Sequence, residues 1–96
     1  MSEIVTAAVA ALSDKIGSDG FDGVAKFMIA GEGGIMIDAN GARAGDEEAE
    51  VTLTADADTF EAIMAGDMDP TAAFMSGKLS VDGDMGLAMK LGSVLA

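Results

Sequence analysis

Tight turns divide the first half of the chain into short segments that alternate between apolar and polar residues. Residues 31–34 are rich in glycine, and the pair Asn40-Gly41 favours a two-residue β-hairpin. Around these turns the alternation is that of strands that bury one face. The predicted strands are residues 20–30, 35–38 and 51–54. Apolar residues at helical spacing over 2–16 predict a preceding helix, so we expect a helix followed by a three-stranded antiparallel meander.

The second half of the sequence is mainly helical in character. Asp58 and Glu61 have the spacing of a capping box, which predicts a helix that Gly66 ends. The pair Asp69-Pro70 is a cap followed by proline at the first helical position, and it predicts a second short helix up to about residue 76.

A last strand and a last helix complete the prediction. Residues 78–82 alternate again, and Asp84 can cap a helix that runs from residue 85 onward. Ninety-six residues suffice for one modest core, and we find no internal repeat or linker. We therefore expect residues 1–96 to form a single α+β domain.

The charge and composition exclude several functions. Seventeen acidic and five basic residues give a formal net charge of -12, which disfavours nucleic acids and anionic lipid surfaces as partners. The sequence has no cysteine and no histidine, so disulfides, thiolate zinc sites and histidine acid–base catalysis are excluded. No apolar run is long enough to cross a bilayer, and the N-terminus does not read as a secretory signal. We expect a cytoplasmic protein without stable membrane insertion.

Aspartate pairs at 56/58, 67/69 and 82/84 are candidate sites for a metal or for paired catalytic carboxylates. A calcium loop also needs a third ligand, a turn glycine and a distant bidentate glutamate, and none of the pairs has that set. Each pair lies where a helix must begin, which favours helix caps. We therefore expect no metal, no cofactor and no enzymatic activity, although a lysine or carboxylate mechanism stays open.

The last helix has more apolar residues than a surface helix needs. Residues 85–95 include two methionines and three leucines, spread over two faces, with Lys90 and Ser93 as the polar positions. Since a surface helix buries one stripe, the second face must meet something else. Methionine is flexible and polarizable, which suits a wall that fits varied apolar shapes. The pattern alone also fits a core helix filled with methionine, or a dimer interface.

The same region resembles the sterol carrier protein 2 family. The resemblance is carried by Gly-Lys-Leu at 77–79 and Gly-Asp-Met-Gly-Leu-Ala-Met-Lys-Leu at 83–91, preceded by Val-Thr-Leu-Thr at 51–54 and Asp-Pro-Thr-Ala-Ala-Phe at 69–74. A weaker similarity extends from about residue 20 to the end. The resemblance implies a mostly antiparallel five-stranded sheet with helices packed on one face and an apolar tunnel between them. Only four strands are placed by the sequence patterns; the fifth would most naturally come from a different division of residues 20–46, and the patterns do not place it.

The resemblance also implies a ligand class: fatty acids, fatty acyl-CoA, sterols and related lipids, in some members as accessory domains that present lipids to enzymes. By position, the residues expected to line the tunnel are Phe60, Ile63, Met64, Phe74, Met75, Leu79, Val81, Met85, Ala88, Met89 and Leu95.

Two features depart from the family. Many members carry a glutamine just before the Gly-Lys-Leu motif and another just after the Met-Lys-Leu motif, where this chain has Ser76 and Gly92. Lipid-transfer members are also often basic, which helps them dock on anionic membranes and CoA phosphates, whereas this chain is strongly acidic.

Two hypotheses of function follow. The first is a non-enzymatic carrier of long-chain fatty acids, fatty acyl esters or similar lipids, gated by the C-terminal helix, where Gly86 and Gly92 each lower helix stability by about 1 kcal/mol relative to alanine. A lipid-using enzyme is a possible partner. The alternative is an interaction module whose apolar last helix docks on a partner enzyme or dimerises.

Overall fold

The computed structural model describes residues 3–17 and 20–95, which form four helices and five strands. In chain order these are α1 (Glu3–Ile16), β1 (Ala25–Ile29), β2 (Gly33–Asp38), β3 (Gly41–Ala44), β4 (Val51–Ala55), α2 (Ala57–Ala65), α3 (Pro70–Met75), β5 (Ser80–Gly83) and α4 (Met85–Leu95). The predicted start of the first helix, residue 2, lies outside the described residues.

All five strands form one sheet in the order β3-β2-β1-β4-β5. Neighbouring strands are antiparallel except β1 and β4, which pair in parallel with Phe27 opposite Leu53. The expected mostly antiparallel five-stranded sheet is thus confirmed, and β3 is the strand that the sequence patterns did not place. The prediction that residues 51–54 continue the meander is wrong, because β4 lies on the far side of β1 and β3 takes the place beside β2.

The segment between β3 and β4 explains the parallel pair. At its beginning, the amide of Gly45 donates to the carbonyl of Gly34, close to where β2 starts. At its end, the amide of Glu50 donates to the carbonyl of Val24, just before β1 starts. The chain therefore returns to the beginning of β1 before it forms β4, so the two strands run in the same direction.

One face of the sheet carries the core. The alternating positions of β1 and β4 are buried, and α1 and α4 pack against that face. The rings of Phe27 and Phe60 meet edge to face with centroids 4.7 Å apart, which joins α2 to the centre of the sheet. The buried side chains of α1 are Val5, Ala8 and Leu12, as its spacing predicts.

The start of α2 differs from the prediction. Its N-cap is Asp56, whose backbone is extended and whose carboxylate accepts a hydrogen bond from the amide of Thr59 at 2.7 Å. The capping box predicted from Asp58 is therefore wrong: Asp58 lies inside the first turn, because the helix begins directly after β4 ends at Ala55. The predicted end is confirmed, with Gly66 in the left-handed conformation.

The first predicted strand begins later than expected, at Ala25 instead of residue 20. Gly20 has a φ of 72°, and a Cβ there would collide with the carbonyl oxygen of Ala39. The next residue, Phe21, donates its amide to the carbonyl of Asp38 at 2.9 Å. Residues 20–24 thus form an approach segment that packs against the β2–β3 turn.

Candidate ligand-binding cleft

A cleft of about 470 Å³ opens between α3, α4 and the β4–β5 side of the sheet. Sheet and loop residues line one side, and the two helices line the others. The lining residues are Leu53, Asp69, Pro70, Thr71, Phe74, Met75, Leu79, Val81, Met85, Ala88, Met89, Gly92 and Ser93.

Local sequence features position the two helices of the cleft. Asp69 caps α3 and Pro70 occupies its first turn, as predicted. Asp84 precedes α4, and its carboxylate accepts a hydrogen bond from the amide of Leu87 at 3.1 Å. Gly92 of α4 faces the start of α3, where a Cβ added to it would lie 3.9 Å from the Cβ of Pro70, an ordinary van der Waals distance.

The cleft has a buried floor and an exposed apolar rim. Leu53, Leu79 and Ala88 form the floor and are almost fully buried. The rim consists of the large apolar side chains that are most exposed among the described residues: Phe74 at 42%, Met75 at 81%, Met85 at 49% and Met89 at 73%. Large apolar side chains gathered around a concave opening mark a binding surface more often than scattered ones do.

The apolar side chains of α4 lie on two sides of the helix, one packed against the core and one at the rim of the cleft. Leu91 and Leu95 are fully buried and anchor the helix to the core. Met85 and Met89 lie on another side of the helix and contribute to the rim. Two apolar faces are therefore present, as the sequence indicates, and only one of them meets the core.

The eleven residues expected to line the tunnel are distributed over three places. Seven of them line the cleft: Phe74, Met75, Leu79, Val81, Met85, Ala88 and Met89. Ile63 and Leu95 lie in the core, with 1% and 0% exposure. Met64 lines a second cleft of about 310 Å³ between α1 and α2, together with Phe60, whose ring is also part of the core.

Sequence reasoning missed six lining residues. Asp69 and Pro70 were interpreted only as helix-start residues, although the start of α3 is also one end of the cleft. Leu53 belongs to a strand whose neighbours cannot be read from local pattern, so its place in the floor follows only from the sheet order. The other missed residues are Thr71, Gly92 and Ser93. Gly92 follows Ala88 by four residues on α4, and Ser93 follows Met89 by four. Because residues at this spacing share a helix face, the spacing was an available signal that Gly92 and Ser93 line the cleft.

The electrostatics of the cleft are acidic. Asp69 is the charged residue of the lining, and no lysine or arginine occurs among the described residues that line it. Three of the five basic side chains lie elsewhere in ion pairs: Lys26 with Asp46 at 2.8 Å, Arg43 with Asp38 at 2.6 Å, and Lys90 with Asp22 at 3.1 Å.

Hydrogen bonds lower the pKa of two carboxyl groups outside the cleft. The guanidinium of Arg43 donates to Asp38, and together with the amide of Asn40 it holds the pKa of Asp38 below its usual value. The amide of Thr59 has the same effect on the pKa of Asp56. Across residues 3–17 and 20–95, no three acidic side chains come together as a metal site. Of the aspartate pairs noted in the sequence, one member of each is a helix cap: Asp56, Asp69 and Asp84.

A mixed sheet with helices on one face and an apolar cleft beside the last helix defines a small-molecule-binding α+β domain. The chain belongs to the SCP-2 sterol transfer family, whose pattern it matches over residues 9–96. Membership makes it a domain of a lipid-binding and lipid-transfer family.

Similar proteins include both large proteins and isolated domains. Hydroxysteroid dehydrogenase-like protein 2 of Danio rerio is 43% identical over 82 residues, covering 77% of this chain and 20% of the relative. Human sterol carrier protein 2 is 50% identical over 46 residues, covering 48% of this chain and 8% of the relative. The chain thus spans about a fifth of the length of the first of these relatives and less of the second.

A solved structure of similar size shows the same fold. Sterol carrier protein-2 of Aedes aegypti, determined in complex with the C16 fatty acid palmitate, superposes with a TM-score of 0.78 at 26% identity. The match covers 100% of this chain and 97% of that one. In the part of the chain that the structure describes, no helix is long and apolar enough to cross a membrane.

Proposed function

We propose that this chain binds and carries elongated apolar lipids, such as long-chain fatty acids or fatty acyl esters, in the cleft between α3 and α4. The observation that supports this most is the pairing of a buried apolar floor with an exposed rim of Phe74, Met75, Met85 and Met89. The palmitate complex of the Aedes aegypti relative is consistent with a ligand of that shape.

The size and chemistry of the cleft support binding driven by the hydrophobic effect. Its volume of about 470 Å³ falls within the range of about 300–1,000 Å³ typical of small-molecule sites. Each methylene removed from water contributes about 0.8 kcal/mol, so an alkyl chain with about ten buried methylenes gains roughly 8 kcal/mol before the costs of ordering. One methylene more or less changes binding by only about 1–3 kcal/mol, so discrimination between chain lengths is modest.

We further propose that α4 acts as the gate of the cleft. Leu91 and Leu95 are fully buried, so α4 stays attached to the core while its rim side separates from α3. The flexible side chains of Met85 and Met89 then make room for an entering chain. Pro70 of α3 lies opposite Gly92 of α4, a residue that has no side chain of its own to hold the two helices together at that point.

Native mass spectrometry tests the carrier function. Protein prepared without detergent is incubated with palmitic acid and, separately, with methyl palmitate, and a saturable one-to-one adduct of either is expected. Met89→Asp places a charge on the rim and should abolish the adduct. Met64→Asp is the control, because Met64 lines the cleft between α1 and α2 and is not among the residues that line the cleft between α3 and α4.

The two variants also separate the two clefts. Each is first shown to keep its far-UV circular dichroism. Loss of the adduct in Met64→Asp but not in Met89→Asp would move the lipid to the α1–α2 cleft. A clean apo mass with every lipid would contradict lipid carriage itself.

The exposed rim favours a second candidate, an interaction module that docks on a partner protein, including a lipid-using enzyme, or on itself. In that case the partner protein or a second copy of the chain covers the rim, and no lipid is needed. A monomer in sedimentation velocity that still exchanges lipid would remove the self-association version.

Catalysis is not part of the proposal. The relatives include proteins whose names are those of enzymes, such as peroxisomal multifunctional enzyme A of Dictyostelium discoideum, but this chain matches 14% of that protein. Turnover in a thioester hydrolysis assay, lost on replacing one acidic residue, would overturn the non-enzymatic assignment.

The single-domain organisation and the cytoplasmic location likewise stay predictions.

A further inference from the structure

We infer that Leu53 determines how long an alkyl chain the cleft can bury. This role rests on the proposed function and names the residue that sets the length of its ligand. Leu53 is almost fully buried and forms the floor of the cleft together with Leu79 and Ala88. It belongs to β4, which pairs with the central strand β1, so it is the part of the floor that lies nearest the centre of the sheet.

A row of side chains across the helix-covered face of the sheet shows where the cleft ends. Val81 lies opposite Leu53, and Leu53 lies opposite Phe27, so the three are neighbours across β5, β4 and β1. Val81 and Leu53 line the cleft, whereas Phe27 is fully buried and lies outside the lining. Because neighbouring strands are about 4.8 Å apart, the cleft ends within one strand spacing of Leu53 in this direction.

Two aromatic rings fill the space behind Leu53. The rings of Phe27 and Phe60 meet edge to face with centroids 4.7 Å apart. Phe60 also lines the cleft between α1 and α2, and in the described part of the chain the two clefts share no lining residue. A close-packed interior leaves no room for a further alkyl chain between them. The cleft between α3 and α4 is therefore closed toward the core, and Leu53 closes it.

The other two floor residues have less influence on length. The side chain of Ala88 is a single methyl group, so truncating it frees almost no space. Leu79 lies between α3 and the edge strand β5, and its amide donates to the carbonyl of Ala73 in α3 at 3.1 Å. Space freed at Leu79 would therefore border the edge of the sheet, whereas space freed at Leu53 points toward its centre.

A closed floor predicts a limiting chain length. Each additional methylene that leaves water tightens binding by about fourfold, until the chain reaches Leu53. Methylenes beyond that length stay in solvent and add little. Affinity should therefore rise with chain length and then level off.

The test measures the affinity of unbranched fatty acids with about 8 to about 18 carbons. Each acid, kept below its critical micelle concentration, displaces a fluorescent lipid probe from the full chain. Leu53→Ala should raise the limiting length by about two carbons, because the packed rings of Phe27 and Phe60 do not collapse fully into the space. Leu53→Phe should lower it by about two carbons, because the larger ring extends into the cleft, which has room for it.

Leu12→Ala is the matched control. Leu12 is a fully buried leucine of α1 that lines neither cleft, so its truncation destabilises the core and leaves the floor unchanged. The limiting length should stay that of the natural sequence. Leu53→Val is a milder change that keeps a good strand former, and it should raise the limit by about one carbon if Leu53→Ala does not fold.

The outcomes distinguish the role of Leu53 from the proposed function. If the variants at Leu53 keep the natural limiting length, or if Leu12→Ala shifts it as much as Leu53→Ala, that role is overturned while lipid binding stands. Affinity that rises through the whole series without levelling off also overturns it. If no acid displaces the probe, and the probe itself does not bind saturably, lipid carriage is overturned and the role of Leu53 with it.

Discussion

Replacing Gly92 by alanine tests whether the cleft opens by separation of α4 from α3. The backbone of Gly92 is not in the positive-φ region, and its added Cβ would lie 3.9 Å from the Cβ of Pro70, an ordinary van der Waals contact. The substitution therefore introduces no strain. It adds a methyl group to the place where the two helices meet.

The expected magnitudes differ for stability and for ligand release. Alanine stabilises a helix interior by about 0.8–1 kcal/mol relative to glycine, and this gain is present whether or not the cleft is open. A methyl group buried against Pro70 contributes at most about 0.8 kcal/mol, and only while the cleft is closed. We therefore expect unfolding to require about 1–1.5 kcal/mol more, and lipid release to slow by about twofold to fourfold.

Gly86→Ala is the matched control within the same helix. A Cβ there would meet only the Oδ1 atom of Asp84, at 3.2 Å, and no atom of α3 within 4 Å. The substitution raises the helix propensity of α4, and the crowding of the Asp84 carboxylate offsets part of that gain. It does not change the contact between α3 and α4. Release should be unchanged.

Urea denaturation measures the stability, and stopped-flow transfer of a fluorescent lipid to vesicles in excess measures the release. Equal slowing by Gly92→Ala and Gly86→Ala would show that helix stability, not helix separation, controls release. If Gly92→Ala is more stable but releases lipid at the original rate, the role of α4 as the gate is wrong.

Three further predictions concern the core, a helix cap and the rim. Phe27 is fully buried and its ring meets another ring edge to face, so Phe27→Ala should lower the free energy of unfolding by about 3–5 kcal/mol in urea denaturation; a loss below about 1 kcal/mol would contradict the packing. The lowered pKa of Asp56 means that its ionised form stabilises the fold above its unfolded pKa of about 3.9 and that this contribution disappears as the pH falls through the lower folded value. Thermal melts from pH 6 to about pH 2 should therefore show a steeper acid loss for the natural sequence than for Asp56→Asn, and parallel curves would refute the cap's charge contribution. Dilute peroxide should oxidise Met75 and Met89 before the buried Met36, as followed by peptide mass spectrometry, and lipid binding should fall over the same time course; early oxidation of Met36 would contradict its burial.

The sequence predicts most elements of the fold because their signals are local. Glycine and Asn-Gly turns, the Asp69-Pro70 cap and the spacing of α1 each act within a few residues, and the structure confirms them. The strand β3 was missed since it has only four residues, and its apolar side chains, Ala42 and Ala44, are too small to give a clear strand pattern. The parallel pairing of β1 with β4 was missed because it depends on where the 45–50 segment crosses the sheet.

The cleft was also predictable in part, because some of its signals are local. The rim residues of α3 and α4 were predicted from the apolar residues of these segments and from the family resemblance that covers them. Phe60, Ile63 and Leu95 are equally apolar, but they face the core. Residue type alone does not distinguish a core position from a position in the cleft. Asp69 is a lining residue whose capping role is visible in sequence, whereas its place beside a cavity appears only when α3 and α4 are brought together.

Every residue that lines the cleft comes from one uninterrupted stretch of chain between Leu53 and Ser93. The preceding part, with α1 and the first three strands, supplies the platform on which that stretch folds. Recombination can therefore exchange the cleft as a single gene fragment, with crossover points before β4 and near the end of α4. The part of the chain that sets ligand preference can thus be exchanged separately from the platform, and grafting residues 51–95 between related proteins should transfer that preference without rebuilding the platform.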